Sequence, residues 1–467
     1  MRAGTQPARL NGVLTHPAGR LLRLTSPADK TMELIIPELS LVLLVGPSGS
    51  GKSTFAHRHF RSTEIVSSDR CRAMICDDEN NQIVSREAFE LLHHVVRQRL
   101  LWRRLTVVDT TNLQAEARRP LIDLARRYHY LTCAIVFDVG EAVCQQQNAA
   151  RVERIVPAHI IAQHSQALSR ALVGLDKEFF THRYILRSRD EIDSARIRRI
   201  PIREDRRDDR GPFDVVGDVH GCLDELLALL NLMGYRIDMA PDHFGIPRPR
   251  VEPPPGRKLL FVGDLGDRGP NTPGVLRLIM DMARRGQAMS VLGNHDNKLL
   301  RKLRGNNVQL THGLTQTLEQ LEHEPPELAD AIRDFLETLP THLVLDRGRL
   351  VVAHAGLRED LHGRVSPRVH SFALFGDTTG ETDEAGLPIR LNWAADYHGA
   401  ALVVYGHTPT AEAWWQNQTV NIDTGCVFGG RLSALRYPER EVVSVAARRR
   451  YAEAARAFLT PTPPQGL

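Results

Sequence analysis

Lysine is scarce in this sequence: six of the 60 basic residues are Lys and the rest are Arg. Codon bias in a GC-rich genome accounts for that preference. Set against 56 acidic residues, the net charge is +4, which permits nucleic-acid binding without requiring it. Cysteine is also sparse, with six residues and no C-x-x-C pair. That excludes a disulfide-stapled secreted scaffold and a thiolate zinc ribbon, and it suits a reducing compartment. No apolar run approaches the ~20 residues of a membrane span, and the best, LSLVLLVG, is far too short. The opening residues MRAGTQPARLNG lack the apolar core of a signal peptide. The expectation is a soluble, cytoplasmic protein with no membrane partner. Its 467 residues, 42% hydrophobic and 25% charged, suit two or three globular domains.

Punctuation divides the chain into two large blocks. Residues 1–31 carry little periodic signal and form a leader. From Met32 to about residue 186, apolar runs (MELIIPELSLVLLVG, LTVVDTT, LTCAIVFDV) alternate with helical stretches, as in a parallel sheet covered on both faces. Residues 187–212 are dense in both charges and predict a linker. The second block, 213–446, contains short strands that each end in a polar cluster, with the proline-rich MAPDHFGIPRPRVEPPPGR predicted as a loop. The tail, 447–467, begins as an Arg/Ala helix candidate and ends in TPTPPQGL.

The chemistry of the first block starts at Gly46, where GPSGSGKS matches G-x-x-x-x-G-K-[ST] between a strand and a helix. Backbone N–H groups of such a turn wrap a β-phosphate. Lys52 would reach the β/γ oxygens and Ser53 would ligate Mg²⁺. Gly46, Ser48, Gly49, Ser50, Gly51, Lys52, Ser53 and Thr54 then form a nucleotide cradle. A strand end at Ser67-Ser68 delivers Asp69, with Arg72 one helical turn later. A carboxylate that takes a proton from a hydroxyl, beside an Arg that neutralises phosphate, suits phosphoryl transfer to an alcohol. Asp69 as an ordinary helix N-cap is the alternative. Asp109 and Asn112, in Val108-Asp109-Thr110-Thr111-Asn112, line an acceptor site or cap a turn. Arg151 and Arg154 close over the phosphates as a helical lid or form a solvated face.

The order P-loop, S-S-D-x-x-R, D-x-T-N and N-x-x-R resembles the 5′-OH polynucleotide kinase family across residues 40–186. The resemblance implies Asp69 as general base, Arg72 on the acceptor phosphate and Arg151 on the ATP phosphates. This chain has Gln147 where the family usually has a further lid Arg; either Arg154 compensates for the missing cation or the kinase is slower.

Five clusters mark the second block: Asp218-Val219-His220-Gly221, Gly263-Asp264-x-x-Asp267-Arg268-Gly269, Gly293-Asn294-His295-Asp296, His354 in VVAHAG, and Gly406-His407. Each histidine singly is a satisfied strand-end residue. Together, oxygen donors and imidazoles without thiolate make a complete ligand set for Mn²⁺ or another divalent transition metal, two ions per site. The block resembles the calcineurin-like metallophosphoesterase superfamily. That implies Asp218 and His220 on one metal, Asp264 bridging, and Asn294, His354 and His407 on the second. It also implies Arg268 as phosphate clamp and His295, oriented by Asp296, as general acid. GDTTGETDEAGLPIRLNWA, VVYGHTP and NIDTGCVFGGRLSALRYPER look like the phosphatase module of bacterial polynucleotide kinase-phosphatases. Asp423 is then a supporting residue, or fixes a turn.

The fold expected is α/β: a P-loop kinase domain with a parallel sheet, then a calcineurin-like α/β sandwich. The function expected is nucleic-acid end healing in RNA repair. ATP and Mg²⁺ would serve the kinase, and two transition-metal ions the hydrolysis of 2′,3′-cyclic or 3′-phosphate ends. The last lysine is Lys302, so the K-x-x-G ligase that often follows in this family is not expected here. The resemblance implies RNA (or DNA) ends as partners, a separate ligase or RNA methyltransferase, and a homodimer. The alternative is a nucleotide-regulated phosphoprotein phosphatase or dinucleoside-polyphosphate hydrolase.

Overall fold

The computed structural model describes residues 32–150, 155–241, 245–383 and 388–459. The expected leader, 1–31, lies outside the described residues. The chain divides into two compact units, 1–201 and 202–467.

In the first unit, Ser40–Val45 is buried at every position, as an apolar strand must be when helices cover both faces of its sheet. It lies at the centre of five parallel strands, ordered Ile65–Ser67, Thr106–Asp109, Ser40–Val45, Leu131–Phe137, His182–Leu186. Their C-terminal ends gather the glycine-rich turn, Ser68 and Asp109 along one edge. The stretch expected as a linker is instead built into both units. Residues 189–194 form a helix whose Ile192 is buried, and Arg196–Ile200 pairs in parallel with Glu33–Pro37. Further on, Asp205–Arg206 pairs with His342–Leu345 of the second unit.

Arg118, 1% exposed, fixes the loop that follows Thr106–Asp109. It donates to the carbonyls of Asn112 (2.6 Å) and Leu113 (2.9 Å), and its Nε donates to Glu178 at 2.8 Å.

The second unit is a sandwich of two sheets. One orders Ala288–Ser290, Lys258–Phe261, Phe213–Val216, Arg431–Tyr437, Glu441–Ala446; the other orders Trp414–Gln416, Thr419–Asn421, Leu402–Tyr405, Leu350–Ala353, His342–Leu345, Asp205–Arg206. Alternation along the strands separates three layers of core. Val215, Leu260, Val352 and Val404 meet between the sheets. Val216 and Phe261 pack under the helices Leu223–Leu232 and Thr272–Arg284. Val351 and Ala353 pack against Phe372 and Trp393 on the far side.

Two expectations fail here. The proline-rich segment forms an antiparallel hairpin, Arg236–Pro241 with Pro247–Glu252. Proline is tolerated there because both strands of a two-stranded ribbon are edges. The described part of the tail, 447–459, contains no helix; it is an extended strap whose Tyr451 and Leu459 bond to Val427 and Pro409.

Arg118→Met strips the half-buried Glu178 carboxylate and two loop carbonyls of their shared partner, a change that costs about 3 kcal/mol. Amides of residues 106–113 in the full chain are expected to exchange about 100-fold faster in hydrogen-exchange mass spectrometry.

Candidate functional sites

In the first unit, residues 46–53 form the turn the motif demands. Gly49 sits at φ +84°, and a Cβ there would collide with the Cys144 carbonyl. Lys52 Nζ folds across the turn and donates to the carbonyls of Gly46 (2.8 Å) and Pro47 (2.7 Å). The Ser53 hydroxyl bonds the buried Asp109 carboxyl. Burial pushes that carboxyl up, while Lys52 and Ser53 act against the shift. A P-loop serine beside a strand-end aspartate is the donor set that holds Mg²⁺ in nucleotide-binding loops. Asp109, expected to line an acceptor site or cap a turn, is instead hydrogen-bonded to the serine of the glycine-rich turn.

Asp69 is not the cap of its helix, Ser68–Cys76. Ser67 takes that role, accepting the Asp69 N–H at 3.2 Å. The Asp69 side chain is 40% exposed and paired with Arg72, which is 4% exposed and steadied by the Glu79 carbonyl at 2.7 Å. Asn112 spends its amide donor on the Leu44 carbonyl (2.8 Å), so it braces the phosphate loop from beneath. Arg151 and Arg154 lie outside the described residues. Asn148 brackets their segment, accepting from the Val156 N–H at 3.0 Å and donating to the Val156 carbonyl at 2.8 Å. Gln147 faces Gly51. A residue missed from sequence stands with it: Arg189 Nη1 and Gln147 Oε1 both come within 3.7 Å of where a Gly51 Cβ would lie. Arg189 belonged to the presumed linker, which hid it.

In the second unit, each ligand candidate follows a strand end. Several hold left-handed backbone, with His220 at φ 45°, Asp264 at 49°, Asp267 at 69°, Arg268 at 67° and His407 at 74°. Such conformations persist where surrounding structure dictates them, most often at functional sites. His354 gives Nδ1–H to the Val262 carbonyl (3.1 Å), which leaves a lone pair on Nε2. That nitrogen faces Asn294 Oδ1 at 2.8 Å, His407 Nδ1 at 3.0 Å and Asp264 Oδ1 at 3.4 Å. Lone pairs converging this closely repel unless a cation lies among them, so the second-metal residues fit their ion. His407 Nε2 is buried without a hydrogen-bond partner.

Around the first-metal position, His220 gives Nδ1–H to Gly266 (2.8 Å) and turns Nε2 to Asp264 Oδ2 at 3.6 Å. Arg268 Nη1 reaches the same nitrogen at 2.7 Å and would yield it to a cation. Asp218 accepts the His407 N–H at 3.1 Å.

The general-acid pair differs from expectation. His295 Nδ1 bonds Asp267 Oδ2 at 2.7 Å, and Asp267 is fixed in turn by Thr317 at 2.6 Å. Asp296 instead accepts the N–H groups of Leu265 and Gly293, both at 3.0 Å, and ties two loops together. Asp423 accepts the Gly425 N–H (3.0 Å) and so does fix a turn, but its charge also acts on Asp218.

Residues 41–174 match the family model described as AAA domain, and residues 211–411 match calcineurin-like phosphoesterase. The bis(5′-nucleosyl)-tetraphosphatase PrpE (asymmetrical) of Anoxybacillus flavithermus is 46% identical over 238 residues, 50% of this chain and 93% of that protein. Its namesake in a Geobacillus species is 47% identical over 237 residues, again 50% and 93%. The Bacillus subtilis protein of that name is 46% identical over 237 residues, with the same shares. The chain belongs to the calcineurin-like phosphoesterase family. A P-loop, kinase-like unit ahead of this phosphoesterase unit fits a kinase–phosphatase architecture.

Electrostatics of the phosphoesterase unit favour divalent cations. Burial pushes Asp264 and Asp423 up to about 7, and Asp218 well above the ordinary carboxyl range with Asp423 and Asp264 adding to the effect. Burial also keeps the imidazoles neutral: His354 falls to about 3, and His220 and His407 lie well below their usual value. Calcineurin-like phosphoesterases use divalent metal ions, and this donor set suits them. Among the described residues no helix is long and apolar enough to cross a membrane.

Because the carboxyls, not the imidazoles, hold protons near neutrality, metal must displace protons from carboxyls. Affinity for Mn²⁺ is expected to rise between pH 6 and pH 8, by up to about tenfold per pH unit for each proton displaced. Calorimetric titration in two buffers of different ionisation enthalpy measures that release. Asp267→Asn is expected to lower kcat about 100-fold on an alkyl phosphoester, whose leaving oxygen needs a proton. The loss on p-nitrophenyl phosphate should be much smaller, with metal content by mass spectrometry unchanged.

Proposed function

We propose that this chain heals nucleic-acid ends. Its first unit would phosphorylate a 5′-OH end from ATP, and its second would hydrolyse a 2′,3′-cyclic or 3′-phosphate. The observation that carries the first half is Asp69, a solvent-reaching carboxylate freed from capping by Ser67 and paired with Arg72. Asp69 accepts the proton of the 5′-hydroxyl as that oxygen bonds to the γ-phosphorus and ADP departs. Arg72 holds the acceptor's phosphate, and Lys52 the charge on the donor's. Ser53 and Asp109 would hold Mg²⁺, which would supply charge neutralisation at the phosphates when bound. A domain that merely senses ATP has no use for an acceptor base.

In the second unit the Asp267 carboxylate supports the protonated form of His295 that burial disfavours. His295 gives that proton to the departing ribose oxygen, and Arg268 offsets the charge that develops on the phosphoryl oxygens. Paired divalent cations supply an activated water and charge neutralisation when bound. The two reactions together turn the products of ribonuclease cleavage into 5′-phosphate and 3′-hydroxyl ends. These ends suit a separate sealing ligase.

A second reading has a specific observation behind it: relatives 46% identical across 93% of their length are named for hydrolysis of bis(5′-nucleosyl) tetraphosphates. The phosphoesterase unit would then cleave a phosphoanhydride, and the tethered kinase would be incidental to it.

One experiment separates the readings. The full chain is incubated with ATP, Mg²⁺, Mn²⁺ and an RNA bearing 5′-OH and 2′,3′-cyclic ends, with diadenosine tetraphosphate in a parallel arm. End healing predicts a 5′-phosphate and a 3′-hydroxyl on the RNA. Asp69→Ala should abolish 5′ labelling by γ-labelled ATP and leave the 3′ reaction running. Unlabelled 5′ ends with the wild type, beside rapid turnover of the tetraphosphate, would reject end healing.

A further inference from the structure

Beside the metal ligands the phosphoesterase unit opens a cleft of about 1090 Å³. Arg268 lies at its inner end, with Nη1 on His220. A second arginine enters from the hairpin of Thr378–Thr382 with Pro388–Arg390. Arg390 Nη1 donates to Thr408 Oγ1 at 3.3 Å, one residue past His407, and its charge acts on both His354 and His407. Among the described residues no carboxylate pairs with it. Arg456, on the tail strap, lies farther along the same cleft and pairs with Asp383.

A guanidinium set beside a site built for two cations is unfavourable unless an anion lies between them. Arg268 already meets the phosphate that reacts. The charge of Arg390 therefore calls for a further anion on the substrate. Its neighbours specify more: Ile389 and Leu391 are 37% and 52% exposed, Phe375 is 39% exposed, and all three line the cleft. Apolar side chains left open around a cation form a seat for a planar, weakly polar group carrying a negative charge.

We propose that Arg390, with Arg456 behind it, forms a subsite for a second phosphate of the substrate, one removed from the phosphate that is cleaved, with Ile389, Leu391 and Phe375 seating the attached nucleoside. A polynucleotide end supplies that phosphate as its last internucleotide link, and a dinucleoside polyphosphate supplies it from its bridge. The subsite rests on the phosphoesterase reading of this unit.

The test compares kcat/KM of wild type, Arg390→Gln and Arg390→Lys with Mn²⁺ on three substrates. These are p-nitrophenyl phosphate with one phosphate, a 3′-phosphorylated dinucleotide, and diadenosine tetraphosphate. Arg390→Gln should lose about 10- to 100-fold more on a multi-phosphate substrate than on p-nitrophenyl phosphate, the scale of a charge-assisted hydrogen bond. The loss should sit mainly in KM, and Arg390→Lys should recover part of it. Whichever substrate suffers identifies the source of the second phosphate. Equal losses on all three, or no loss on any, overturn the subsite while leaving the phosphoesterase reading intact. A wild type inert toward all three substrates overturns both. Arg390→Lys keeps the charge and carries the comparison where Arg390→Gln does not fold.

Discussion

The second unit is organised around an electrostatic conflict. Asp218, Asp264 and Asp423 are buried beside the lone pairs of His220, His354 and His407, with the charge of Arg268 felt by all three carboxyls. Burying a carboxylate away from its counter-charge is among the most costly acts a fold can perform. The sandwich sustains it by brute rigidity, with strand ends from both sheets, left-handed backbone at five of the site residues, and glycines where neighbouring loops touch. Gly293 is one such point, since any side chain there would strike Asp264. A site held this firmly discriminates by charge and size and bends little to its ligand.

The first unit solves an easier problem. Its charged residues satisfy one another: Lys52 lies on loop carbonyls, Ser53 on Asp109, and Arg72 on Asp69. With a protein partner for each of these groups, the loop is ordered by its own contacts. Arg118 and Asn112 extend the order one layer outward by bracing the segment that carries Asp109.

Much of this was legible in the chain because phosphate and metal chemistry admits few residue types. The glycine-rich turn and the five ligand clusters could be named from their spacing, and the buried runs placed them on strands. What escaped was proximity across turns. Asp296 adjoins His295 in sequence, yet the first turn of the helix Asn294–Leu303 swings its carboxylate back onto loop amides, while Asp267 arrives from a different loop. The dyad was nonetheless written in the D-x-x-D-R spacing. The supposed linker misled because its charges outnumber its apolar residues. Ile192 is nonetheless buried, and Ile197 packs against the core that contains Leu34 and Ile36. Composition averaged over a window conceals single anchoring residues. The proline-rich hairpin escaped for a related reason, since a ribbon of two edges asks little of its amide donors.

The strap over residues 447–459 has a topological meaning. Phe458 lies over Gly425, and Leu459 pairs with Thr410, so the backbone leaves the sandwich beside the lip of the catalytic cleft. A segment grafted downstream of this point is tethered within arm's length of that cleft, so the exit route is a mooring at its mouth.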